Sequence, residues 1–209
     1  MRGNHAPEST KPDPPPARLP KVALPFNMPG WLLNQWIIRM LNLLYYQRQP
    51  KTSTLATVDY DPFFYPLDSI AHWNRLYGKR GFVQYQCVIP FSAGEPAIRE
   101  LLAQSSRSGL SSFLTVLKAF GPKPSPGILS FPRPGITLAM DFRFQGETTL
   151  KVLESLDEVV RQGGGCVYPA KDARMSGESF RAYFPQWQEF AKYIDPCFSS
   201  SFWRRVTGS

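Results

Sequence analysis

The side chains best suited to bind a polar ligand in this chain are two amides, an ammonium group and a hydroxyl. They belong to Gln84, Gln86, Lys118 and Thr137, and each falls in a segment where apolar and polar residues alternate. Because side chains alternate across a β-strand, such segments predict strands with one apolar and one polar face. A sheet that keeps amides and a lysine on one face is expected to cover something polar.

Three predicted strands carry these residues, over positions 82–90, 112–120 and 136–142. The third strand places Thr137 and Asp141 on its polar side, together with Ala139. The apolar rows are Val83, Tyr85, Cys87 and Ile89 in the first strand, Phe113, Leu117 and Ala119 in the second, and Ile136, Leu138, Met140 and Phe142 in the third.

Two helical patterns supply a cover for the apolar face, and a further short strand follows at about residue 166. The order strand-helix-strand-strand-helix-strand predicts an α+β, ferredoxin-like fold with both helices on one face of an antiparallel sheet, followed by a C-terminal helical segment. The polar face is then left for a ligand or partner. The first helix starts at Glu95-Pro96 and repeats at Ile98, Leu101 and Leu102; the second repeats at Leu150, Leu153, Leu156 and Val160 and ends at Gly163-Gly164-Gly165.

The sequence does not support a metal site or a catalytic nucleophile. Cys87, Cys166 and Cys197 are too scattered for a disulfide framework or a zinc site, so a reducing, cytoplasmic compartment is the expectation. His5 and His72 form no Cys/His or Ser/His pair, and we predict no metal site. The chain also has no strand-linked GxGxxG, Walker loop, HExxH or GxSxG motif.

The net charge of +8 is concentrated outside the predicted fold. Residues 1–52 hold seven Lys/Arg and two Asp/Glu, and the remainder holds 17 against 14. A surface that follows nucleic-acid phosphates concentrates basic residues on the folded domain. The charge distribution therefore argues against a nucleic-acid partner.

The N-terminal part divides into two segments. Residues 1–30 are rich in proline and lack the apolar core of a signal peptide, which predicts a disordered tail. Residues 31–60 contain an apolar, amphipathic helix and a linker; the apolar stretch 31–46 is shorter than the roughly 20 residues that span a bilayer. Two interpretations stay open: a helix buried against the domain, or an interfacial helix whose aromatic residues lie at a membrane surface.

The segment Tyr168-Pro169-Ala170-Lys171-Asp172-Ala173-Arg174 follows the last predicted strand. By spacing alone it is a solvated loop with an aspartate capping the next helix. The last five residues of this segment form one motif, and five further motifs precede it along the chain. They are Phe64-Tyr65-Pro66-Leu67-Asp68, Trp73-Asn74-Arg75-Leu76-Tyr77-Gly78, Gly81-Phe82-Val83-Gln84-Tyr85-Gln86, Lys118-Ala119-Phe120-Gly121-Pro122 and Leu129-Ser130-Phe131-Pro132-Arg133-Pro134-Gly135.

Together these motifs resemble the C-terminal, substrate-domain half of the FAD-linked oxidases typified by decaprenylphosphoryl-β-D-ribose 2′-oxidase. These are vanillyl-alcohol-oxidase-type flavoproteins, related to the aldonolactone oxidases. The resemblance implies a substrate (cap) domain at residues 61–168 and a segment at 169–209 that returns to an FAD-binding domain. No such domain is evident here, so we expect a fragment or one half of a split enzyme, inactive alone and partnered by an N-terminal FAD-binding domain.

The resemblance also assigns roles to residues. Lys171 matches the catalytic lysine placed against the flavin, where a cation stabilises the negative charge left by hydride transfer. Tyr168 and Gln86 join it as FAD contacts. The implied substrate contacts are Phe64, Gln84, Gln86, Lys118, Phe120, Thr137 and Ala139.

The implied reaction is oxidation of a sugar carbinol by hydride transfer to FAD. The substrate is a polyprenyl-phosphoribose or a sugar lactone. Thr137 and Ala139 stand where the best-known members carry Asn and Cys, and Phe64 replaces a Tyr, so different hydroxyls are held. A lipid substrate agrees with the amphipathic helix and implies an active site at the cytoplasmic face of the inner membrane.

Two other function classes stay open. The RNA-recognition fold is also βαββαβ, and residues 80–85 partly resemble its RNP1 signature. That signature belongs on the third strand of the RNA-recognition fold, however, and here it falls on the first strand. The open face also carries amides, whereas RNA binding needs aromatic rings on which bases stack. The other class is a non-catalytic interaction module, in which Lys171 has no flavin to contact.

Overall fold

The alternating segments form strands and the periodic segments form helices in the computed structural model, which describes residues 22–30, 34–48, 70–110, 112–171 and 174–208. The strands are β1 Val22–Ala23, β2 Ile70–Ala71, β3 Phe82–Ile89, β4 Ser112–Phe120, β5 Gly135–Arg143 and β6 Cys166–Val167. The helices are α1 Gln35–Gln47, α2 Gly94–Arg107, α3 Glu147–Gln162, α4 Gly177–Tyr183, α5 Trp187–Ala191 and α6 Ser201–Thr207, with 3₁₀ turns at Trp73–Tyr77 and Pro169–Lys171.

Four strands form one antiparallel sheet in the order β4-β5-β3-β6. The helix α2 connects β3 to β4, and α3 connects β5 to β6. This is the strand order and connectivity of the split βαβ arrangement. The predicted α+β, ferredoxin-like fold is confirmed.

The core lies between the sheet and the pair α2 and α3, which contact each other. Its residues are the predicted apolar rows, so the alternation assigned the faces of β3 and β5 correctly. The thiols of Cys87 and Cys166 are buried here, and burial raises the pKa of each to about 12. The buried members include Tyr85, Cys87, Ile89, Ile98, Leu101, Leu138, Met140, Phe142, Leu153, Leu156, Val160 and Cys166.

Three residues predicted to face the core are exposed, namely Leu117 and Ala119 in β4 and Leu102 in α2. Leu117 in β4 is 58% exposed, and Leu102 in α2 is 42% exposed. The helices contact β3, β5 and β6, whereas β4 lies at the far edge of the sheet. Alternation identifies the faces of a strand, and only the tertiary packing decides whether a helix reaches that strand.

Residues 22–30 pack beside residues 70–78, where β1 pairs in parallel with β2. The Arg75 guanidinium donates hydrogen bonds to two carbonyl groups of the first segment, at 2.6 and 2.9 Å. Arg143 Nη1 donates to the Gly30 carbonyl at 2.8 Å. A Cβ at Gly30 would lie 2.1 Å from Arg143 Nη2, so a larger residue there would have to displace the guanidinium group. The segment is thereby fixed against one end of β5.

The helix α1 begins at an N-cap, Asn34, whose side chain accepts a hydrogen bond from the Ile37 amide. The interpretation of this helix as buried against the domain is wrong. It has no apolar partner that covers it among the described residues, and seven of its large apolar side chains are exposed. They are Trp36, Met40, Leu41, Leu43, Leu44, Tyr45 and Tyr46.

None of the helices in the described ranges combines the length and apolar character needed to cross a bilayer. The predicted proline-rich tail falls on residues 1–30, of which only 22–30 are described. Most of the predicted linker after α1 also lies outside the described residues. The proposed domain boundaries stay predictions.

The C-terminal helices pack on each other and against α3. Phe180 is buried, and its ring contacts Phe184, Phe202 and Trp203. Val206 in α6 is also fully buried. The predicted C-terminal helical segment is present, and its contact with an FAD-binding domain stays a prediction.

Candidate functional site

The sheet face opposite α2 and α3 carries the polar residues predicted for it. In the register of the sheet Gln84 lies opposite Asp141, and Gln86 lies opposite Ala139. Thr137 is opposite Lys118 on its other side. Directly opposed residues share a face, so the face presents polar groups from three adjacent strands.

Gln86 is held by its neighbour on the next strand. Its Nε2 donates a hydrogen bond of 3.3 Å to the Thr137 hydroxyl. Thr137 is only 1% exposed, whereas Gln86 is half-buried. The hydroxyl therefore orients the Gln86 amide and lies beneath the surface that a ligand would contact.

Lys171 ends the 3₁₀ turn that follows β6. The residue before this turn is Tyr168, whose amide donates to the Gln86 carbonyl at 2.8 Å. The turn therefore lies beside the part of β3 that β6 does not cover. The Lys171 Nζ donates a hydrogen bond of 2.7 Å to Gln84 Oε1. Lys171 is itself exposed, so its ammonium is directed onto the polar face and remains accessible.

A buried ion pair holds the other end of the Lys171 loop. Arg174 Nη1 lies 3.0 Å from Asp157 Oδ2, and the Asp157 side chain is only 4% exposed. The Tyr85 hydroxyl donates to the second carboxylate oxygen at 3.0 Å. Burial raises the pKa of Asp157, and Arg174 opposes that shift. The arginine of the Ala170-Lys171-Asp172-Ala173-Arg174 motif thus fastens the loop to α3.

Aromatic rings lie beside the amides. Tyr168 stacks on Phe131 with ring centroids 4.5 Å apart, and Phe131 meets Phe120 edge-on at 6.0 Å. Phe131 is 4% exposed, so it supports the two half-buried rings from below. Tyr168 and Phe120 therefore form a fixed apolar wall beside the amides, and their contacts with FAD and with a substrate stay predictions.

Asp141 is the acidic member of the face. It is 3% exposed, it lies directly opposite Gln84 in the register of β3 and β5, and its Oδ2 has no hydrogen-bond partner. Burial raises its pKa, whereas the Gln84 hydrogen bond and the charge of Lys171 lower it. The Tyr77 hydroxyl, also buried and without a partner, is close enough for the Asp141 charge to raise its pKa beyond the effect of burial.

The structure brings most, but not all, of the predicted residues together. Gln84, Gln86, Thr137 and Lys171 are linked in two hydrogen-bonded pairs. Lys118 is exposed on the edge strand β4, two strands away from the glutamines, or about 10 Å by the usual strand spacing. Ala139 is half-buried between these groups, and Phe64 lies outside the described residues.

Three contributors were not assigned a role from the sequence. Asp141 was placed on the polar face by alternation, and that signal was enough to find it. Asp157 and Phe131 act through contacts with residues 17 and 37 positions away, which no spacing pattern reveals. In the part of the chain that the structure describes, no group of three or more His, Cys, Asp or Glu side chains is arranged to hold a metal ion.

Comparison with known proteins agrees with the resemblance that the motifs indicated. The chain is 36% identical over 190 residues to decaprenylphosphoryl-beta-D-ribose oxidase of Mycolicibacterium smegmatis, a match that covers 88% of this chain and 40% of the relative. It is 32% identical over 131 residues to an uncharacterized protein in the mprA 5′ region of Streptomyces coelicolor, covering 60% of this chain and 35% of that protein. No family model matches the chain.

The chain thus spans about two fifths of the length of the oxidase that it matches. The resemblance predicted from the six motifs is confirmed, and it is consistent with the C-terminal part of an FAD-linked oxidase.

Proposed function

We propose that this chain is the substrate domain of an FAD-dependent oxidoreductase that oxidises a sugar carbinol by hydride transfer. The observation that carries the proposal is the Lys171 ammonium, held at 2.7 Å by Gln84 on an amide-bearing sheet face. A fixed, accessible cation beside hydrogen-bonding amides is what a reaction that develops negative charge requires. The similarity to a named oxidase supports the same chemistry.

The residues of the polar face fit a flavin. An isoalloxazine ring offers a flat apolar surface with carbonyl and nitrogen acceptors along one edge, and the face offers the Tyr168 ring beside the Lys171 ammonium and the Gln86 amide. FAD, when bound, supplies the hydride acceptor. Tyr168, Gln86 and Lys171 are the residues that would hold it.

Lys171 has the role of stabilising charge. Removal of a hydride from a carbinol places negative charge on its acceptor, and a cation already fixed nearby needs no reorganisation as that charge develops. The loop that carries Lys171 is bonded to β3 at one end and to α3 at the other. This attachment restricts where the ammonium group can move.

The substrate class follows from the remaining groups. Gln84 and Gln86 offer amides for sugar hydroxyls, and Lys118 offers a second cation about 10 Å away for a phosphate. The second cation favours a sugar phosphate over a sugar lactone, because a lactone carries no negative charge. Thr137 influences the choice by fixing the Gln86 amide.

The proposal requires two partners. One is an FAD-binding domain, supplied with this chain or by a separate polypeptide. The other is the cytoplasmic face of the inner membrane. Gly30 is bonded to the sheet through Arg143, and α1 starts at Gln35 after Asn34. Four residue steps from Gly30 to Asn34 span at most about 14 Å, so the exposed apolar helix starts near the polar face.

Co-expression with an FAD-binding domain tests the proposal. The chain is co-expressed with the part of the Mycolicibacterium smegmatis oxidase that lies outside the matched region, and the purified complex is examined by absorbance. We expect a yellow complex whose flavin absorbance is bleached by a polyprenyl-phosphoribose. The Lys171→Met variant should lower kcat by roughly a hundredfold with a smaller change in KM, since the charge is needed mainly after hydride departure.

The matched control is Lys192→Met, which removes an exposed lysine on the C-terminal segment and should leave kcat unchanged. Retention of RNA with a steep salt dependence and without flavin would replace the proposal with the RNA-binding class. A stable, colourless complex would indicate a non-catalytic module. A yellow complex in which Lys171→Met keeps full turnover would remove Lys171 from the mechanism.

A further inference from the structure

We infer that Asp141 is a positioning residue that aims the Lys171 ammonium at the reaction centre through the side-chain amide of Gln84. The three residues form a row across the polar face, from the loop after β6, over β3, to β5. Lys171 donates to Gln84 Oε1 at 2.7 Å, and Gln84 lies directly opposite Asp141 in the register of β3 and β5, where it lowers the pKa of the Asp141 carboxyl. This inference rests on the proposed function for its consequence in catalysis. The row itself is formed within this chain and needs neither a flavin nor an FAD-binding domain.

The direction of the Gln84 amide is the critical property. An amide can turn either its oxygen or its nitrogen toward a neighbour, and the two orientations are nearly equal in shape. An ionised carboxylate only accepts hydrogen bonds, so Asp141 requires the Gln84 nitrogen to face it. The Gln84 oxygen must then face Lys171, where it accepts the ammonium hydrogen bond of 2.7 Å.

Asp141 also differs from a side chain retained for stability alone. Asp141 is only 3% exposed, and its Oδ2 has no hydrogen-bond partner. A buried carboxylate with an unused acceptor costs free energy, and an apolar or amide side chain would relieve that cost. Such costs are characteristic of residues retained for a functional site.

The test is the variant Asp141→Asn, compared with Glu154→Gln, an exposed acid on α3 that should behave as the wild type. An asparagine both donates and accepts, so the orientation of Gln84 is no longer imposed. We expect the complex with the FAD-binding domain to lose roughly tenfold in kcat or more with little change in KM. In the Lys171→Met background the same substitution should cost nothing further, because the effect passes through Lys171.

A second readout uses the chain without flavin. With ¹³Cε-labelled lysine, the Lys171 signal, assigned by its loss in Lys171→Met, should show the relaxation of an ordered side chain in the wild type. It should become mobile in both Asp141→Asn and Gln84→Leu, while the other lysine signals are unchanged. Gln84→Leu removes the relay without altering the buried acid, so it gives the signal of a Lys171 side chain that nothing positions. Asp141→Ala is the second variant to compare with that signal if Asp141→Asn folds poorly.

The two hypotheses fail differently. If no variant binds flavin but Lys171 is mobilised as expected, the proposed function fails and the positioning row stands. An active complex whose kcat falls less than twofold in Asp141→Asn, with Lys171 equally ordered, would overturn the inference.

Discussion

At the scale of the residue, a lysine ammonium on a flexible four-carbon stem is useful at a reaction centre only where other groups fix its direction. In this chain two groups do so. Gln84 accepts one hydrogen bond from Lys171, and Asp157 anchors the loop through Arg174. The catalytic proposal for Lys171 therefore depends on Gln84, a half-buried side chain of the polar face, and on Asp157, which is buried and does not meet a ligand.

The charge of Asp141 leads to a prediction about pH. Burial raises its pKa above 3.8, so the folded protein binds this proton more strongly than the unfolded protein does. The stability that this proton contributes is present at low pH and is lost as the pH rises through the raised pKa. The melting temperature of the wild type should therefore fall, relative to Asp141→Asn, from about pH 4 upward.

The neighbours of Asp141 do not reverse this sign. Tyr77 has a raised pKa and stays a neutral phenol over that range, and Gln84 and the charge of Lys171 oppose the shift in the Asp141 pKa without abolishing it. Melting curves of the two proteins between pH 4 and 8 measure the difference. A difference that shrinks as the pH rises would contradict the assignment of Asp141 as a destabilising buried charge.

The ion pair of Asp157 and Arg174 gives a prediction for stability. Asp157→Ala leaves a buried guanidinium without its carboxylate and also removes the acceptor of the Tyr85 hydroxyl. We expect a loss of about 3 kcal/mol in the free energy of unfolding, measured by urea denaturation. The neighbouring Glu158→Gln alters an exposed carboxylate and should change stability little. Equal losses in the two variants would show that the buried pair is not the main anchor.

At the scale of the element, α1 is the exception to an otherwise self-contained fold. Amphipathic helices usually bury their apolar side against the protein, yet Leu43 and Leu44 are 55% and 53% exposed, and Tyr46 is 80% exposed. Arg39 and Arg48 add positive charge to the same helix. This combination fits a helix that lies in the interface of an anionic membrane.

Vesicle binding tests the role of α1. The protein should sediment with vesicles that contain anionic lipid at low salt and be released at high salt, because the basic residues are screened. Leu43→Gln with Leu44→Gln should weaken sedimentation by roughly tenfold or more, since two apolar side chains no longer insert. Gln47→Ala, at the polar end of the helix, is the control. Undiminished binding by the double variant would remove α1 as the membrane contact.

At the scale of the whole molecule, the sheet supplies one face for stability and one face for chemistry. The helices α2 and α3 cover the first face, and the Lys171 loop, the Phe131 segment and residues 70–78 border the second. The border leaves Lys118 and Lys171 exposed on either side of the glutamines. An FAD-binding domain that covers this face would place its flavin between two cations of the same chain.

The amino-acid sequence by itself determined the order of the elements from β3 to β6, the two faces of β3 and β5, and the polar character of the open face. Those properties follow from alternation and helical periodicity, which are local. The motifs likewise identified the oxidase resemblance, because they preserve residue types in order.

Only the tertiary structure decided which polar residues act on one another. Lys171 and Gln84 are 87 positions apart, and their contact exists because β6 is short and leaves room for the loop beside β3. The exposure of Leu117 and α1, and the burial of Asp141, likewise depend on which elements cover which surface. Local periodicity carries no information about that choice, since packing energy is set by neighbours distant in the chain.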